Sequence, residues 1–259
     1  MRPLAHTLKD VLRSRTGRWI LRVAGKTPLR RYLYSGTFDP KSGFVVGSGD
    51  MARDWDERAR LNAKYFIAVG KDESEEEFWK SGEREIEAVL DGITLPPNAR
   101  VLEIGCGIGR LLRPLAPLAA EVHGVDISEE MLRQASEALR DFPNIRVHQT
   151  SGDLRMFEDA TFDFCFSVLV FQHIASADAI RLYIREAARV LRSGGVFRFQ
   201  VAIADDAAAR TSEGGTWFGV LFREDEMRAL LDESGFEVTR IAHGTNDLWK
   251  LGAFTARRR

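Results

Sequence analysis

The run VLEIGCGIG, from Val101 to Gly109, constrains this chain more than any other stretch of its 259 residues. A short apolar run of strand composition leads directly into Gly105, Gly107 and Gly109, and a helical pattern opens behind them. Glycine adopts positive φ without penalty and carries no side chain, so this junction lets the backbone turn tightly and approach a ligand at a helix N-terminus. A nucleotide-type pocket is implied. A dinucleotide GxGxxG loop needs glycine at 110, where the chain has Arg110, and a P-loop needs Gly-Lys followed by Ser or Thr. Both alternatives are weakened.

Around this junction, strand and helix patterns alternate. Strands are expected at Arg100 to Ile104, Glu121 to Val125, Ile145 to Gln149, Phe162 to Val170 and Gly195 to Ala202; helices are expected at Arg110 to Ala119, Glu129 to Arg140 (N-capped by Ser128) and Asp178 to Leu191. Strands separated by helices mean βαβ crossovers and a parallel sheet covered on both faces. The ending differs. After a helix at Glu224 to Ser234, two strands, Phe236 to Ala242 and Leu248 to Ala256, are joined by a short turn at Gly244-Thr245-Asn246, which permits an antiparallel hairpin.

Upstream, Asp54 to Val69 is helical in composition, and Ser74 with Glu77 forms an S-x-x-E cap for a second helix ending near Gly92. Phe78, Gly82, Ile86, Val89 and Leu90 share one face of that helix, and Pro96-Pro97 then imposes an extended entry into the first strand. Thr37 to Gly49, rich in glycine and holding Pro40, reads as a linker. Residues 1–50 are therefore expected to be a basic helical arm and linker, and residues 51–259 the main domain, with 51–92 as lid helices.

The net charge of −1 hides an asymmetry: Met1 to Tyr34 holds nine Lys or Arg against one acid, a net +8, which leaves −9 on the body. The arm reads either as a helix packed on its own domain or as a peripheral membrane contact through residues 1–34. An acidic body repels polyanions, so no nucleic-acid partner is expected. No stretch approaches the ~18 apolar residues of a spanning helix, and no signal-peptide pattern follows Met1, so a cytoplasmic location is expected. Cys106 and Cys165 lie far apart with no CxxC pair, which disfavours a disulfide scaffold or a zinc site and leaves them as small buried hydrophobes.

Asp126 closes the strand EVHGV about 20 positions after the glycines. In a doubly wound sheet the carboxyl ends of adjacent strands meet at one crevice, so this carboxylate faces the glycine loop and can accept from both hydroxyls of a ribose. Together with GVDIS (Gly124 to Ser128), SGD (Ser151 to Asp153), FDFCFSVLVFQHI (Phe162 to Ile174) and LRSGG (Leu191 to Gly195), the glycine run resembles the successive motifs of class I S-adenosylmethionine-dependent methyltransferases. The resemblance covers roughly Glu85 to the C-terminus. It implies an α/β doubly wound, seven-stranded, mostly parallel sheet with one antiparallel strand, an S-adenosyl-L-methionine cofactor and methyl transfer.

Residue by residue, the resemblance implies that Glu103, Gly105, Cys106 and Gly107 line the methionine part, Asp126 holds the ribose and Ile127 flanks the adenine. Asp153 would accept from the adenine amino group, and Ser167 and Val168 would offer backbone carbonyls to the ammonium. His173, just past the fourth strand, is the best-placed general base, with a backbone-bonded structural histidine as the alternative, and Gln172 beside it could orient cofactor or substrate. Trp55, Arg58, Asn62 and Tyr65, at helical spacing, are expected to form a lid or substrate wall, with Trp217 on a second wall. The expected reaction is in-line methyl transfer to a small-molecule acceptor. Two other classes stay open at this point: a non-catalytic protein that keeps the fold for binding, and a nicotinamide-dependent oxidoreductase.

Overall fold

In a computed structural model of the chain, the described residues are 38–39, 44–45, 50–68, 74–204, 219–245 and 250–259. The basic arm, the Gly214-Gly215 segment and Trp217 lie outside them. Seven strands form one sheet: β1 (Arg100–Ile104), β2 (Glu121–Asp126), β3 (Ile145–Gln149), β4 (Phe162–Ser167), β5 (Leu191–Ala202), β6 (Phe236–Thr245) and β7 (Lys250–Arg258). Their order is β3-β2-β1-β4-β5-β7-β6. Every pairing from β3 to β5 is parallel, and β7 runs antiparallel to both neighbours, so the sheet carries the one reversed strand that was expected.

This order fixes where a ligand can bind. The chain winds outward through β1, β2 and β3, then returns to lay β4 on the other side of β1. The crossovers diverge there, and a crevice opens at the carboxyl ends of β1 and β4. The helices α1 (Met51–Ile67), α2 (Glu75–Val89), α3 (Leu112–Leu115), α4 (Glu129–Ala138), α5 (Ala177–Val190) and α6 (Glu224–Glu233) complete the layers. One core joins Ile180, Ile184 and Leu231 to Phe197, Phe199 and Phe254; another, on the α2–α4 side, joins Ile86, Val89, Leu112 and Ala135 to Val101 and Phe164. Burial on both faces explains why β1 and β4 read as nearly continuous apolar runs.

Several boundaries depart from the sequence reading for identifiable reasons. The helix expected over 110–119 is a single turn, Leu112–Leu115, because Pro114 and Pro117 have no N–H to continue the ladder. The fourth strand ends at Ser167 rather than Val170, since Leu169 turns into the left-handed region with φ 58°. The fifth begins at Leu191, and its pairing with β4 is interrupted between Phe162 and Phe164. The tract read as a linker contains an antiparallel pair, Phe38↔Val45 and Asp39↔Phe44. His148 on β3 shares a 3.0 Å hydrogen bond with His123 on β2.

Helix α2 lies close against the end of the glycine loop. Pro114 cannot donate to the Arg110 carbonyl, and Gly82 packs on that oxygen: a Cβ at 82 would stand 2.3 Å from it. Gly→Ala inside a helix normally stabilises by roughly 1 kcal/mol. Here the contact reverses the sign. Gly82→Ala is expected to destabilise by about 1–3 kcal/mol, read as a lower urea midpoint at unchanged m-value.

Candidate active site

The crevice at the ends of β1, β2 and β4 collects most of the residues expected to act. Leaving β1, the chain turns through Gly105 (φ 79°), Gly107 (φ 53°) and Gly109 (φ 84°), conformations that favour glycine. The missing side chains also admit protein neighbours: a Cβ at Gly105 would meet Val170 at 2.4 Å, and one at Gly107 would meet Ile67 of α1 at 2.7 Å. Gly105 and Cys106 both donate to the Val125 carbonyl, at 2.7 and 3.0 Å, which binds the loop to the end of β2.

Asp126 faces that loop. One carboxylate oxygen accepts the Gly107 N–H at 2.8 Å, and the other accepts the Ser128 N–H at 2.9 Å. Burial raises its pKa, opposed by the amide bonds of Ser128, Gly107 and Ile127, while neighbouring Asp56 adds to the rise. Glu103, the penultimate residue of β1, is 3% exposed, and one of its oxygens is buried without a hydrogen-bond partner. Burial lifts its carboxyl well above the usual carboxylate range; Arg110 opposes this, and Asp126 and Glu85 reinforce it. Arg110 occupies the position of a dinucleotide loop's last glycine and instead ties the loop to α2, with bonds of 3.2 Å to both Ser81 and Glu85.

At the end of β4 the Ser167 hydroxyl donates to the Ile104 carbonyl at 2.9 Å, joining the two strands that border the crevice. Val168 follows, buried, and the left-handed Leu169 leads into a 3₁₀ turn, Phe171–His173. Gln172 is fully buried there, and neither atom of its side-chain amide has a hydrogen-bond partner. His173 is 2% exposed, with the edge of the Trp55 ring 5.4 Å from its own, centroid to centroid. The Arg58 guanidinium lies 4.7 Å from the Trp55 ring centroid. Burial pulls Arg58 down to about 10, against the pull of Asp54 and Glu57, so it stays a cation at neutral pH.

Trp55, Arg58 and His173 thus come together, while the rest of the expected lid does not follow helical spacing. Asn62 interrupts α1 with φ −170° and ψ 87°, and its exposed side chain caps the following turn by accepting the Tyr65 N–H at 3.1 Å. Asn62 is a break and a cap, and Tyr65 lies beyond it, edge-on to Phe66. Ile127 is half-buried next to Asp126. Asp153 is held by the Arg155 N–H at 3.1 Å, in a loop organised by the Thr150 hydroxyl. Sequence reasoning missed Asp56, Val170 and Ile67, whose roles depend on contacts between distant segments. A cavity of about 450 Å³, lined by Ile93, Asp163, Arg192, Gly194, Thr239 and Arg257, lies at the opposite end of β4, away from the carboxyl ends where such sheets bind ligands.

A methyltransferase-domain family matches residues 102–199. The demethylmenaquinone methyltransferase of Tropheryma whipplei (strain Twist) is 38% identical over 184 residues, spanning 60% of this chain and 70% of that one. The ubiquinone biosynthesis O-methyltransferase of Maricaulis maris (strain MCS10) is 27% identical over 199 residues, spanning 69% and 72%. Among solved structures, an S-adenosylmethionine-dependent methyltransferase from Clostridium acetobutylicum superposes with a TM-score of 0.58 at 16% identity, over 79% of this chain and 98% of that one. The chain belongs to the class I S-adenosylmethionine-dependent methyltransferases and is an enzyme of that kind. No helix among the described residues is long and apolar enough to cross a membrane.

The Glu103 environment has a sign that can be measured. A carboxyl whose folded-state pKa is raised holds a proton that the unfolded chain releases above about 4.3, so its contribution to stability falls as pH rises through that window. Glu103→Gln removes the titration. The ligand-free variant is expected to gain stability over the parent as pH climbs from 4.5 to 8, measured as a widening gap between urea midpoints.

Proposed function

We propose that the enzyme transfers a methyl group to a small-molecule acceptor by in-line displacement, with cofactor and acceptor meeting at the carboxyl ends of β1 and β4. The observation that carries this reading is the Asp126 carboxylate, which accepts the Gly107 amide at 2.8 Å and so brings the glycine loop and the β2 acid into one crevice. A carboxylate has about four lone-pair sites. The Gly107 and Ser128 amides each take a site on a different oxygen, and the ribose hydroxyls would use sites that remain on the same carboxylate. Glu103, Gly105, Cys106 and Gly107 would border the methionine part, with Ser167 and Val168 offering carbonyls to its ammonium; Ile127 and Asp153 would border the adenine. The orphaned oxygen of Glu103 and the unpartnered amide of Gln172 suit a polar, cationic ligand.

When bound, S-adenosylmethionine supplies an electrophilic methyl group on a positively charged sulfur. The chain's own task is to hold the acceptor in line and keep water out. Positioning of this kind contributes roughly 7–11 kcal/mol when reacting atoms sit in near-attack geometry. The Trp55 ring and the buried His173 and Gln172 form the wall on which the acceptor would rest, with Arg58 behind Trp55. His173 would take the acceptor's hydroxyl proton on a ring nitrogen while the oxygen attacks, and Gln172 would orient that hydroxyl. The names of the two relatives and the aromatic wall both favour a quinol-type acceptor carrying an ionisable ring hydroxyl.

The test is incubation with S-adenosylmethionine and a panel of quinols and simple phenols, with mass spectrometry reading the methylated product and S-adenosylhomocysteine. Binding of NADH without binding of S-adenosylhomocysteine, by calorimetry, would overturn the reading. Asp126→Ala is expected to raise the Kd for S-adenosylhomocysteine by about 10- to 100-fold, the loss of charge-assisted hydrogen bonds. His173→Gln is expected to lower kcat by about 10²–10⁴ with that Kd nearly unchanged.

A further inference from the structure

Asp56 belongs to none of the recognised motifs, yet it joins the first helix to the cofactor crevice. One of its carboxylate oxygens accepts both the Ser128 hydroxyl, at 2.6 Å, and the Glu130 N–H, at 3.0 Å. Its other oxygen pairs with Arg60 at 3.2 Å. Ser128 then sends its own N–H to Asp126, and Asp126 accepts the Gly107 N–H. An unbroken hydrogen-bond chain runs from α1 through the Asp126 carboxylate to the glycine loop.

Capping accounts for only part of this arrangement, since the Glu130 N–H that Asp56 accepts is a first-turn donor of α4 while the Ser128 hydroxyl is not. Helix α4 already has its N-cap, because the Ser128 hydroxyl accepts the Met131 N–H at 3.1 Å. The bonds to Asp56 are additional and come from an element distant in sequence. They also decide where the Ser128 hydroxyl proton points, which no group of α4 does. Bonds to a carboxylate are roughly twice as strong as neutral ones, whereas the exposed pair with Arg60 contributes little. Elsewhere α1 touches the same machinery twice: Gln134 donates to the Ala59 carbonyl at 3.1 Å, and Ile67 covers Gly107. The break at Asn62 separates the segment bearing Asp56 from the one bearing Ile67.

We propose that Asp56 is a positioning residue for the cofactor: by gripping Ser128 when α1 lies over the crevice, it fixes the orientation of the Asp126 carboxylate, so that closure of α1 and tight binding of the nucleoside are one coupled event. This rests on the reading that Asp126 holds the ribose. Coupling of this kind is reciprocal. Whatever occupies Asp126 must then also hold α1 down.

The experiment uses the full chain, calorimetry with S-adenosylhomocysteine, and hydrogen–deuterium exchange across residues 51–67. In the parent protein the ligand is expected to slow exchange in 51–61. Asp56→Ala is expected to raise the Kd about 10-fold, within the usual range of coupling factors, and to abolish that protection. Asp56→Asn keeps an acceptor oxygen and should stay within about threefold of the parent. Asp56→Glu, which keeps the charge but moves it by one methylene, supplies a second folded variant with a weakened Kd, and Arg60→Ala should bind as the parent does. A merely structural role would lower the melting temperature of Asp56→Ala and leave the ligand-induced protection of 51–61 in place, which would overturn the proposal. Parent protein that binds no S-adenosylhomocysteine would remove the cofactor reading and this one together; equal binding by parent and Asp56→Ala would remove only the coupling.

Discussion

The Asp126 carboxylate accepts one amide from the loop after β1 and another from the loop after β2, and the geometry of the crevice depends on this double grip. Parallel strands end side by side with unpaired peptide groups pointing out of the sheet, and those groups need partners once helices cover both faces. Asp126 supplies them for Gly107 and Ser128. Its charge is tolerated in a mostly buried place because the amides oppose the rise in pKa that burial imposes. Once it is held, the glycine loop has a fixed path, the N-terminus of α4 has a fixed origin, and α1 can be tied to both. The same acid that would bind a ribose also organises the loops around it.

The fold was largely legible because its signals are local. Val101, Leu102 and Ile104 form a buried strand directly before a glycine turn, Ser74 and Ser128 cap helices where the sequence places them, and Phe236 to Arg258 forms the closing hairpin. Errors fell where one residue overrides a pattern. The prolines at 114 and 117 cut a ten-residue helical stretch to one turn, and Leu169 ended a strand that its apolar neighbours seemed to extend.

The candidate site divides along the same line. Glu103 and Asp126 lie at strand ends, where a parallel topology makes position readable, and Gln172 and His173 lie in the 3₁₀ turn that follows β4. The lid was less legible. Helical spacing placed Trp55, Arg58, Asn62 and Tyr65 on one face, but the backbone break at Asn62 puts Tyr65 on a separate segment. Asp56, Ile67 and Val170 were invisible because their meaning lies in a partner far along the chain: Ser128, Gly107 and Gly105 respectively. No periodicity encodes such a contact. Arg110 is intermediate, since its departure from glycine was plain in the sequence while its bonds to Ser81 and Glu85 required the fold.

The burial pattern also separates the part of the molecule that supplies stability from the part that supplies chemistry. Beneath α5 and α6, Phe197, Phe199 and Phe254 stack within a dry core, with ring centroids 4.6 and 5.5 Å apart, and aromatic pairs of this kind contribute about 0.5–1.5 kcal/mol beyond their burial. At the crevice the sign changes. The orphaned oxygen of Glu103 and the two unpartnered atoms of Gln172 each cost about 1–3 kcal/mol, a large fraction of the roughly 5–15 kcal/mol that holds a domain together. An interior optimised only for folding would carry apolar residues at 103 and 172, as it does at Leu102 and Phe171. Glu103 lies near the carboxyl end of β1 and Gln172 in the 3₁₀ turn after β4, and a polar side chain at both positions suits the polar ligand proposed for this crevice.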